Sequence, residues 1–118
     1  FFCRESGLFL EQRVDTAEEA SALMRAQWEI GLVAGMVFAA PPPRGSALER
    51  AHVDRWIATA IADAEAEDIR GKKLTPFLLD RLAHLSGGRT LDANVALLEH
   101  NAQLAARIAV AYAKDVRR

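Results

Sequence analysis

The sequence predicts a mostly helical α/β fold with about four helices and one or two strands. Four segments carry apolar residues at helical spacing, and one continuous apolar run, residues 36–40, lies between glycine and proline. A lone strand cannot satisfy its own backbone hydrogen-bonding groups. We therefore expect the rest of the sheet to lie upstream of this chain. The alternative is that two copies dimerise by strand pairing.

Composition indicates an ordinary globular protein. The 118 residues are 51% hydrophobic and 26% charged, with a formal net charge of -1. Nucleic-acid binding needs a concentrated basic surface, whereas the basic clusters here are two short pairs, Lys72-Lys73 and Arg117-Arg118. One cysteine allows no internal disulfide, and no apolar run approaches the roughly 20 residues of a membrane span. Without a signal-peptide pattern, we expect a cytoplasmic protein with neither nucleic acid nor membrane as a partner.

The first residues, Phe1-Phe2-Cys3, lack an initiator methionine. Two exposed aromatic side chains at a free terminus favour aggregation. We therefore expect them to continue a strand or loop whose beginning lies upstream, which would make this chain part of a longer protein.

The first helix is predicted over residues 17–30. Thr16 and Glu19 have the spacing of a capping box, in which each side chain accepts a hydrogen bond from an otherwise unpaired backbone N–H. Gly31 suits the position just after the helix. The apolar run that follows ends at three consecutive prolines, so residues 15–40 are a candidate β-α-β unit.

The remainder of the chain is predicted to be helical. One helix covers residues 51–69 and stops at Gly71. The next covers residues 76–86, with Thr75 as N-cap and Pro76 as its first residue.

The last helix is predicted over residues 91–116, with Thr90 as its cap. The turn before it, Gly87-Gly88-Arg89-Thr90, is the main candidate site. A glycine-rich turn at a helix N-terminus presents free N–H groups and partial positive charge, which suit a phosphate or carboxylate. Asn94 lies about one turn further on. The alternative is a plain junction, in which Gly87 ends one helix and Thr90 begins the next.

Other reactive side chains favour structural roles. Lys72 and Lys73 lie in a polar loop, where lysines are usually solvated. The three histidines have no metal-ligand spacing, so we predict no metal ligands in this chain. Aromatic residues at core-like positions are expected to pack: Trp28, Trp56 and Tyr112.

Several blocks together resemble the C-terminal third of the pseudouridine-5'-phosphate glycosidase (indigoidine synthase A-like) family. The matching blocks cover nearly the whole chain in order: residues 1–8, 13–19, 26–32, 35–43, 71–79 and 86–97.

The resemblance implies that the complete protein is an α/β/α sandwich and a homotrimer. It would cleave or form the C–C glycosidic bond of pseudouridine 5'-phosphate, giving uracil and ribose 5-phosphate, with a divalent metal, typically Mn2+. A lysine nucleophile, a proton-transferring glutamate and a metal-binding aspartate are expected upstream, so the chain alone should be inactive. Asn94 matches a substrate-contacting asparagine, with Gly88, Arg89 and Thr90 as weaker substrate-binding candidates.

The sequence departs from the family pattern at three positions: Cys3, Ala40 and His100. These departures leave room for a changed substrate preference or a lost activity. The alternative function is a non-catalytic helical interaction module derived from the same fold. A parent protein fused to a sugar kinase is a further possibility.

Overall fold

The computed structural model describes residues 2–116, with side chains described for residues 2–114, and that part of the chain is helical. Its four α-helices agree in number with the prediction: α1 (Ala17–Glu29), α2 (Arg50–Ala66), α3 (Leu74–Leu85) and α4 (Arg89–Val116). A 3₁₀ turn, Gly71–Lys73, directly precedes α3. Phe1 and Arg117-Arg118, which entered the sequence predictions, lie outside the described residues.

The chain divides into two compact units. The first unit contains the residues up to Ser6 together with Pro41–Leu98, and the second contains Gly7–Ala40 and the residues from Glu99 onward. Helix α4 contributes its first part to one unit and the remainder to the other.

The first unit is built on the packing of α2 against α3. The N-terminal segment is attached just before α2, where the backbone N–H of Leu48 donates to the carbonyl oxygen of Phe2 at 2.9 Å. Between the two helices, Arg81 Nε donates to Asp63 Oδ2 at 2.6 Å. Five of its buried apolar side chains form one cluster: Phe2, Val53, Ala60, Leu82 and Ala93. Small and branched residues at helical spacing therefore place the core between α2, α3 and the start of α4.

The second unit contains α1 and the second part of α4. The capping box is confirmed: Glu19 N–H donates to Thr16 Oγ1 at 3.1 Å, and Thr16 N–H donates to Glu19 Oε2 at 3.2 Å. Gly31, at φ 81°, directly follows the C-cap of α1, as predicted, and it completes a Schellman motif. Trp28 meets Tyr112 edge to face, with ring centroids 5.5 Å apart. Trp28 nevertheless remains 41% exposed, so it contacts Tyr112 without being a buried core residue.

The predicted strand at residues 36–40 is not formed among the described residues, which contain no strand. The physical reason is that a strand exists only when a second one pairs with it, and the described residues provide no such partner. The β-α-β unit predicted for residues 15–40 is likewise absent from that part of the chain.

The predicted end of α2 and the predicted starts of α3 and α4 were wrong by two residues or more. Helix α2 ends three residues before the predicted end, because Asp68 adopts the left-handed conformation (φ 52°) that closes a Schellman motif. Thr75 does not cap α3, which begins at Leu74. The 3₁₀ turn already has helical curvature there, and the backbone N–H of Leu74 donates to Gly71 O. Pro76 fits the first turn because N–H groups there need no helical partner.

Candidate functional site

The junction between α3 and α4 contains most of the predicted site. Ser86 is the C-cap of α3, and Gly87 (φ 62°) and Gly88 (φ 85°) follow in the left-handed region. Gly88 N–H donates to Ala83 O at 2.8 Å, and Gly87 N–H donates to His84 O at 3.1 Å, which completes a Schellman motif. The two glycines are therefore required for the reversal of the chain.

The backbone N–H groups of this turn are already hydrogen-bonded within the protein. Those of Gly87 and Gly88 bond to α3, Arg89 N–H donates to Ser86 O at 3.5 Å, and Leu91 N–H donates to Gly88 O at 2.9 Å. An anion site at a helix N-terminus depends on free N–H groups. The geometry therefore matches the plain-junction alternative better than a phosphate cradle built from backbone amides.

Thr90 is not the cap of α4, since the helix begins at Arg89 and Thr90 is its second residue. Its side chain is 2% exposed, and its hydroxyl lies 3.0 Å from the hydroxyl of Ser86. The Ser86 hydroxyl also accepts a hydrogen bond from Thr90 N–H at 3.1 Å. Ser86 thus performs the capping role predicted for Thr90, because the Schellman turn brings the end of α3 against the first turn of α4.

Arg89 is fixed on the side of α4 that faces α2. Its Nε donates to Ser86 O at 2.9 Å, and its guanidinium carbon lies 4.8 Å from the centroid of the Trp56 ring. The cation–π contact and the hydrogen bond together orient a cation that is otherwise exposed. No local pattern predicts this pairing, because Trp56 and Arg89 are far apart in the chain.

Asn94 is half-buried, and its side-chain amide forms no hydrogen bond to another described residue. It follows Arg89 by five residues, which places the two side chains about 140° apart around the helix axis. The structure therefore does not bring these two candidates to one side of α4. Gly88, the third candidate, is half-buried and has only backbone groups to offer a ligand.

An exposed apolar row borders Asn94. Leu91, Val95 and Leu98 are spaced along one side of α4, and Leu98 is 60% exposed. The sequence predicted the last helix but not the exposure of this row. Contiguous exposed apolar side chains are typical of a surface that another element or chain covers.

An apolar groove of about 400 Å³ lies in the first unit and was not anticipated from the sequence. Phe2, Val53, Leu78 and Leu82 form its floor. Cys3 lies on its wall, where burial raises the pKa of the thiol, as does the nearby carboxylate of Asp54. A raised pKa keeps the thiol protonated at neutral pH, which argues against a nucleophilic role for Cys3.

The described residues contain no group of three or more His, Cys, Asp or Glu side chains that could hold a metal ion. Lys72 and Lys73 lie exposed in the 3₁₀ turn. His52 and His84 lie near acidic residues of their own helical segments, Glu49 at 3.6 Å and Asp80 at 3.5 Å. The described histidine and carboxylate side chains therefore do not form a complete manganese site, and we assign no catalytic step to such a site.

Within the described residues, no helix is both long and apolar enough to cross a membrane.

Comparison with known proteins relates the sequence to one enzyme group. Pseudouridine-5'-phosphate glycosidase from Rhodospirillum centenum is 48% identical over 114 residues, covering 97% of this chain and 36% of the relative. The enzyme of that name from Myxococcus xanthus is 45% identical, covering 97% of this chain and 38% of the relative. The chain thus spans little more than a third of the length of these curated relatives.

The fold is similar to a solved structure. The crystal structure of the prealnumycin C-glycosynthase AlnA in complex with ribulose 5-phosphate superposes with a TM-score of 0.87 at 28% identity. The match covers 100% of this chain and 39% of AlnA. The profile of the family described as "Indigoidine synthase A like protein" matches residues 1–111. The chain therefore belongs to the indigoidine synthase A-like family.

Proposed function

We propose that this chain forms the Asn94-bearing part of an enzyme that cleaves or forms the C–C glycosidic bond of pseudouridine 5'-phosphate. Cleavage of that bond gives uracil and ribose 5-phosphate. The main support is the 48% identity to a pseudouridine-5'-phosphate glycosidase over 97% of the chain. AlnA gives independent support, because a C-glycosynthase of the same fold was solved with a five-carbon sugar phosphate.

Asn94 is the proposed substrate-contacting residue of this chain. A half-buried amide without a described partner can offer two donors and one acceptor to a ligand. The buried Ser86–Thr90 pair fixes the start of α4 and so holds the helix that carries Asn94. We propose the phosphate end of the substrate as its contact, because amide N–H groups donate well to phosphate oxygens.

The proton-transferring and nucleophilic groups belong, in this proposal, to the remainder of the family domain. A C-glycosidic bond has no leaving heteroatom, so an iminium on the opened sugar and protonation of the uracil carbon are needed. The proposal includes Mn2+, a cytoplasmic homotrimer and an α/β/α sandwich for the complete protein, with residues 36–40 as a strand of its sheet.

The first experiment is uracil release from pseudouridine 5'-phosphate, with manganese present, followed by chromatography. The isolated chain is expected to release none. A chimera, in which this chain replaces its matched part of the R. centenum enzyme, is expected to be active. Release by the isolated chain would place the catalytic groups within these 118 residues and overturn the proposed division of labour.

Asn94→Ala in the chimera tests the residue itself. A hydrogen bond to a charged group contributes about 1.5–3 kcal/mol, so kcat/KM should fall about 10- to 150-fold. Asn101→Ala, at an exposed position of the same helix, is the matched control and should leave kcat/KM unchanged. Equal kinetics for both variants would remove Asn94 from the site.

A second candidate function is a non-catalytic interaction module. The observation in its favour is the exposed apolar segment Leu8-Phe9-Leu10, in which Phe9 is 97% exposed. An inactive chimera that still folds and binds pseudouridine 5'-phosphate poorly would favour this candidate.

A further inference from the structure

We propose that Trp56 and Arg89 are positioning residues for Asn94, and that neither of them contacts the substrate. Together they fix the rotation of α4 about its axis, and that rotation sets where the Asn94 amide lies. The inference rests on the proposed function, since it depends on the substrate contact of Asn94. It concerns residues of the first unit alone.

Arg89 connects three helices. It is the first residue of α4, and its Nε donates to the carbonyl oxygen of Ser86, the C-cap of α3, at 2.9 Å. Its guanidinium carbon lies 4.8 Å from the centroid of the Trp56 ring on α2. The hydrogen bond therefore attaches the first turn of α4 to α3, and the cation–π contact attaches it to α2.

Trp56 is a firm support for this contact. Its indole is partly buried and packs against the buried apolar cluster of the first unit. The ring also lies 5.9 Å from that of His52, one turn earlier in α2, with 34° between the ring planes. A guanidinium is attracted to a ring only while it stays over the ring face, so a rotation of α4 that moved Arg89 sideways would lose the contact.

Arg89 lies at one end of the buried side of α4. Ala93 and Leu97, the next residues along that side, are 2% and 8% exposed. Arg89 and Ala93 are four residues apart, which places their side chains about 40° apart around the helix axis. Asn94 lies about 100° further round than Ala93, so a rotation of α4 displaces its amide.

Apolar packing at the start of α4 restrains this rotation weakly. Ala93 is the α4 member of the buried cluster, and Ala60 of α2, at 0% exposed, is another member. Alanine side chains end at Cβ, so they let helices approach closely but form no ridge that locks into a neighbouring groove. The contact between Arg89 and Trp56 adds the directional restraint that the alanines do not provide.

The directions of the side chains argue against Arg89 as a second ligand of the same substrate. Arg89 and Asn94 lie about 140° apart around the axis of α4. The Nε of Arg89 and one face of its guanidinium are already engaged by Ser86 and Trp56. The geometry therefore suits a residue that acts on the substrate through the placement of α4.

Trp56→Leu in the chimera tests the contact, because leucine keeps apolar bulk but has no ring face. A cation–π contact at an exposed site corresponds to about a two- to fivefold change in an equilibrium constant, so kcat/KM should fall by about that factor. Trp56→Phe keeps a ring face and should recover most of the loss. An unchanged kcat/KM in Trp56→Leu would overturn the proposal.

The same substitution in an Asn94→Ala background separates positioning from a general effect on folding. If Trp56 acts through the Asn94 amide, Trp56→Leu should change kcat/KM by less than about 1.5-fold there, because coupled residues do not have additive effects. An equal loss in both backgrounds would assign Trp56 a purely structural role and overturn the proposal.

Arg89→Met removes the same contact from the exposed side of the pair, so it leaves the core intact. We expect kcat/KM to fall about two- to tenfold, since a hydrogen bond is lost together with the cation–π contact. Arg55→Met is the matched control, because Arg55 is exposed on α2 and its side chain has no described partner. It should leave kcat/KM unchanged. A loss at Arg89 that persists in full in the Asn94→Ala background would identify Arg89 as a ligand itself and overturn its positioning role.

Nuclear magnetic resonance of the isolated chain distinguishes failure of this inference from failure of the proposed function. The side-chain amide signals of Asn94 should shift in Trp56→Leu and in Arg89→Met, and should stay in place in Arg55→Met. Unmoved signals in all three variants would overturn the positioning role, even where Asn94→Ala lowers the activity of the chimera. Shifted signals together with kinetics that do not depend on Asn94 would overturn the proposed function and leave the control of Asn94 by Trp56 and Arg89 intact.

Discussion

The hydroxyl of Ser86 and the backbone N–H of Thr90 form a buried hydrogen bond of 3.1 Å that joins the end of α3 to the start of α4. The same hydroxyl lies 3.2 Å from Ala83 O, to which it donates, and 3.0 Å from the hydroxyl of Thr90. Ser86 is 3% exposed, so water cannot readily replace these bonds. One serine thus satisfies groups of two helices.

We expect Ser86→Ala to lower the free energy of unfolding by about 1–3 kcal/mol, because it leaves a buried N–H and a buried hydroxyl unpaired. Urea denaturation followed by circular dichroism measures this. Ser46→Ala is the control: its hydroxyl donates a single partly buried hydrogen bond to Pro43 O at 3.2 Å. An effect at Ser86 no larger than at Ser46 would contradict the linking role.

Gly87→Ala should destabilise the chain by about 1 kcal/mol through backbone strain. Gly87 has φ 62°, and a Cβ there meets nothing within 4 Å, so a steric clash does not contribute. Gly45→Ala is the matched control, since it has equal space without a positive φ. There the substitution should be neutral or stabilising by up to about 1 kcal/mol. Similar losses at both positions would rule out the conformational explanation.

The ion pair between Asp63 and Arg81 should have a larger coupling energy than a surface pair. Its side chains are 33% and 42% exposed, respectively, and it joins two helices at 2.6 Å. A double-mutant cycle with Asp63→Asn and Arg81→Gln should give about 1 kcal/mol, allowing for solvent screening. The exposed pair Arg50–Asp54, within α2 at 3.4 Å, should give about 0.3–0.5 kcal/mol. High salt should reduce the second coupling more than the first.

The thiol of Cys3 should react slowly with iodoacetamide. Burial raises its pKa above the ordinary value of 9.0, so at pH 8 the folded chain contains less thiolate than the unfolded chain. The alkylation rate should therefore increase when urea unfolds the protein. A rate independent of urea would contradict a raised pKa.

The same shift makes stability depend on pH. The folded state holds the Cys3 proton more tightly than the unfolded state, so this stabilisation is fully present below pH 9.0. It is lost as pH rises through the folded pKa. The unfolding free energy of the unmodified chain should accordingly fall more steeply above pH 9 than that of Cys3→Ala.

Local sequence signals predicted the helices and some of their ends. The Thr16–Glu19 capping box and the Gly31 terminus were predicted correctly because both depend on residues within a few positions of each other. Asp68 was missed as a helix terminus, since aspartate adopts a positive φ far less often than glycine does. Thr90 was wrongly predicted to be the N-cap of α4, because a threonine can either cap a helix or pack within its first turn.

The candidate site was partly predictable. Asn94 was selected through the family resemblance, and its contact with substrate stays a prediction. The α3–α4 turn was located correctly, but its amides are occupied by the Schellman motif and by Ser86. A sequence indicates that a turn exists, whereas the bonding of each N–H depends on how the two helices meet.

The sequence by itself determined the number of helices, the position of the glycine turn and the family, because these follow from periodicity and from nearby residues. Only the tertiary structure decided that Arg89 lies on Trp56, that Ser86 serves both helices and that residues 35–40 remain unpaired. The contact between Arg89 and Trp56 joins residues distant in the chain, and the bonding of Ser86 and of residues 35–40 depends on how neighbouring elements meet. Packing sets that balance of burial and hydrogen bonding, and local propensity does not.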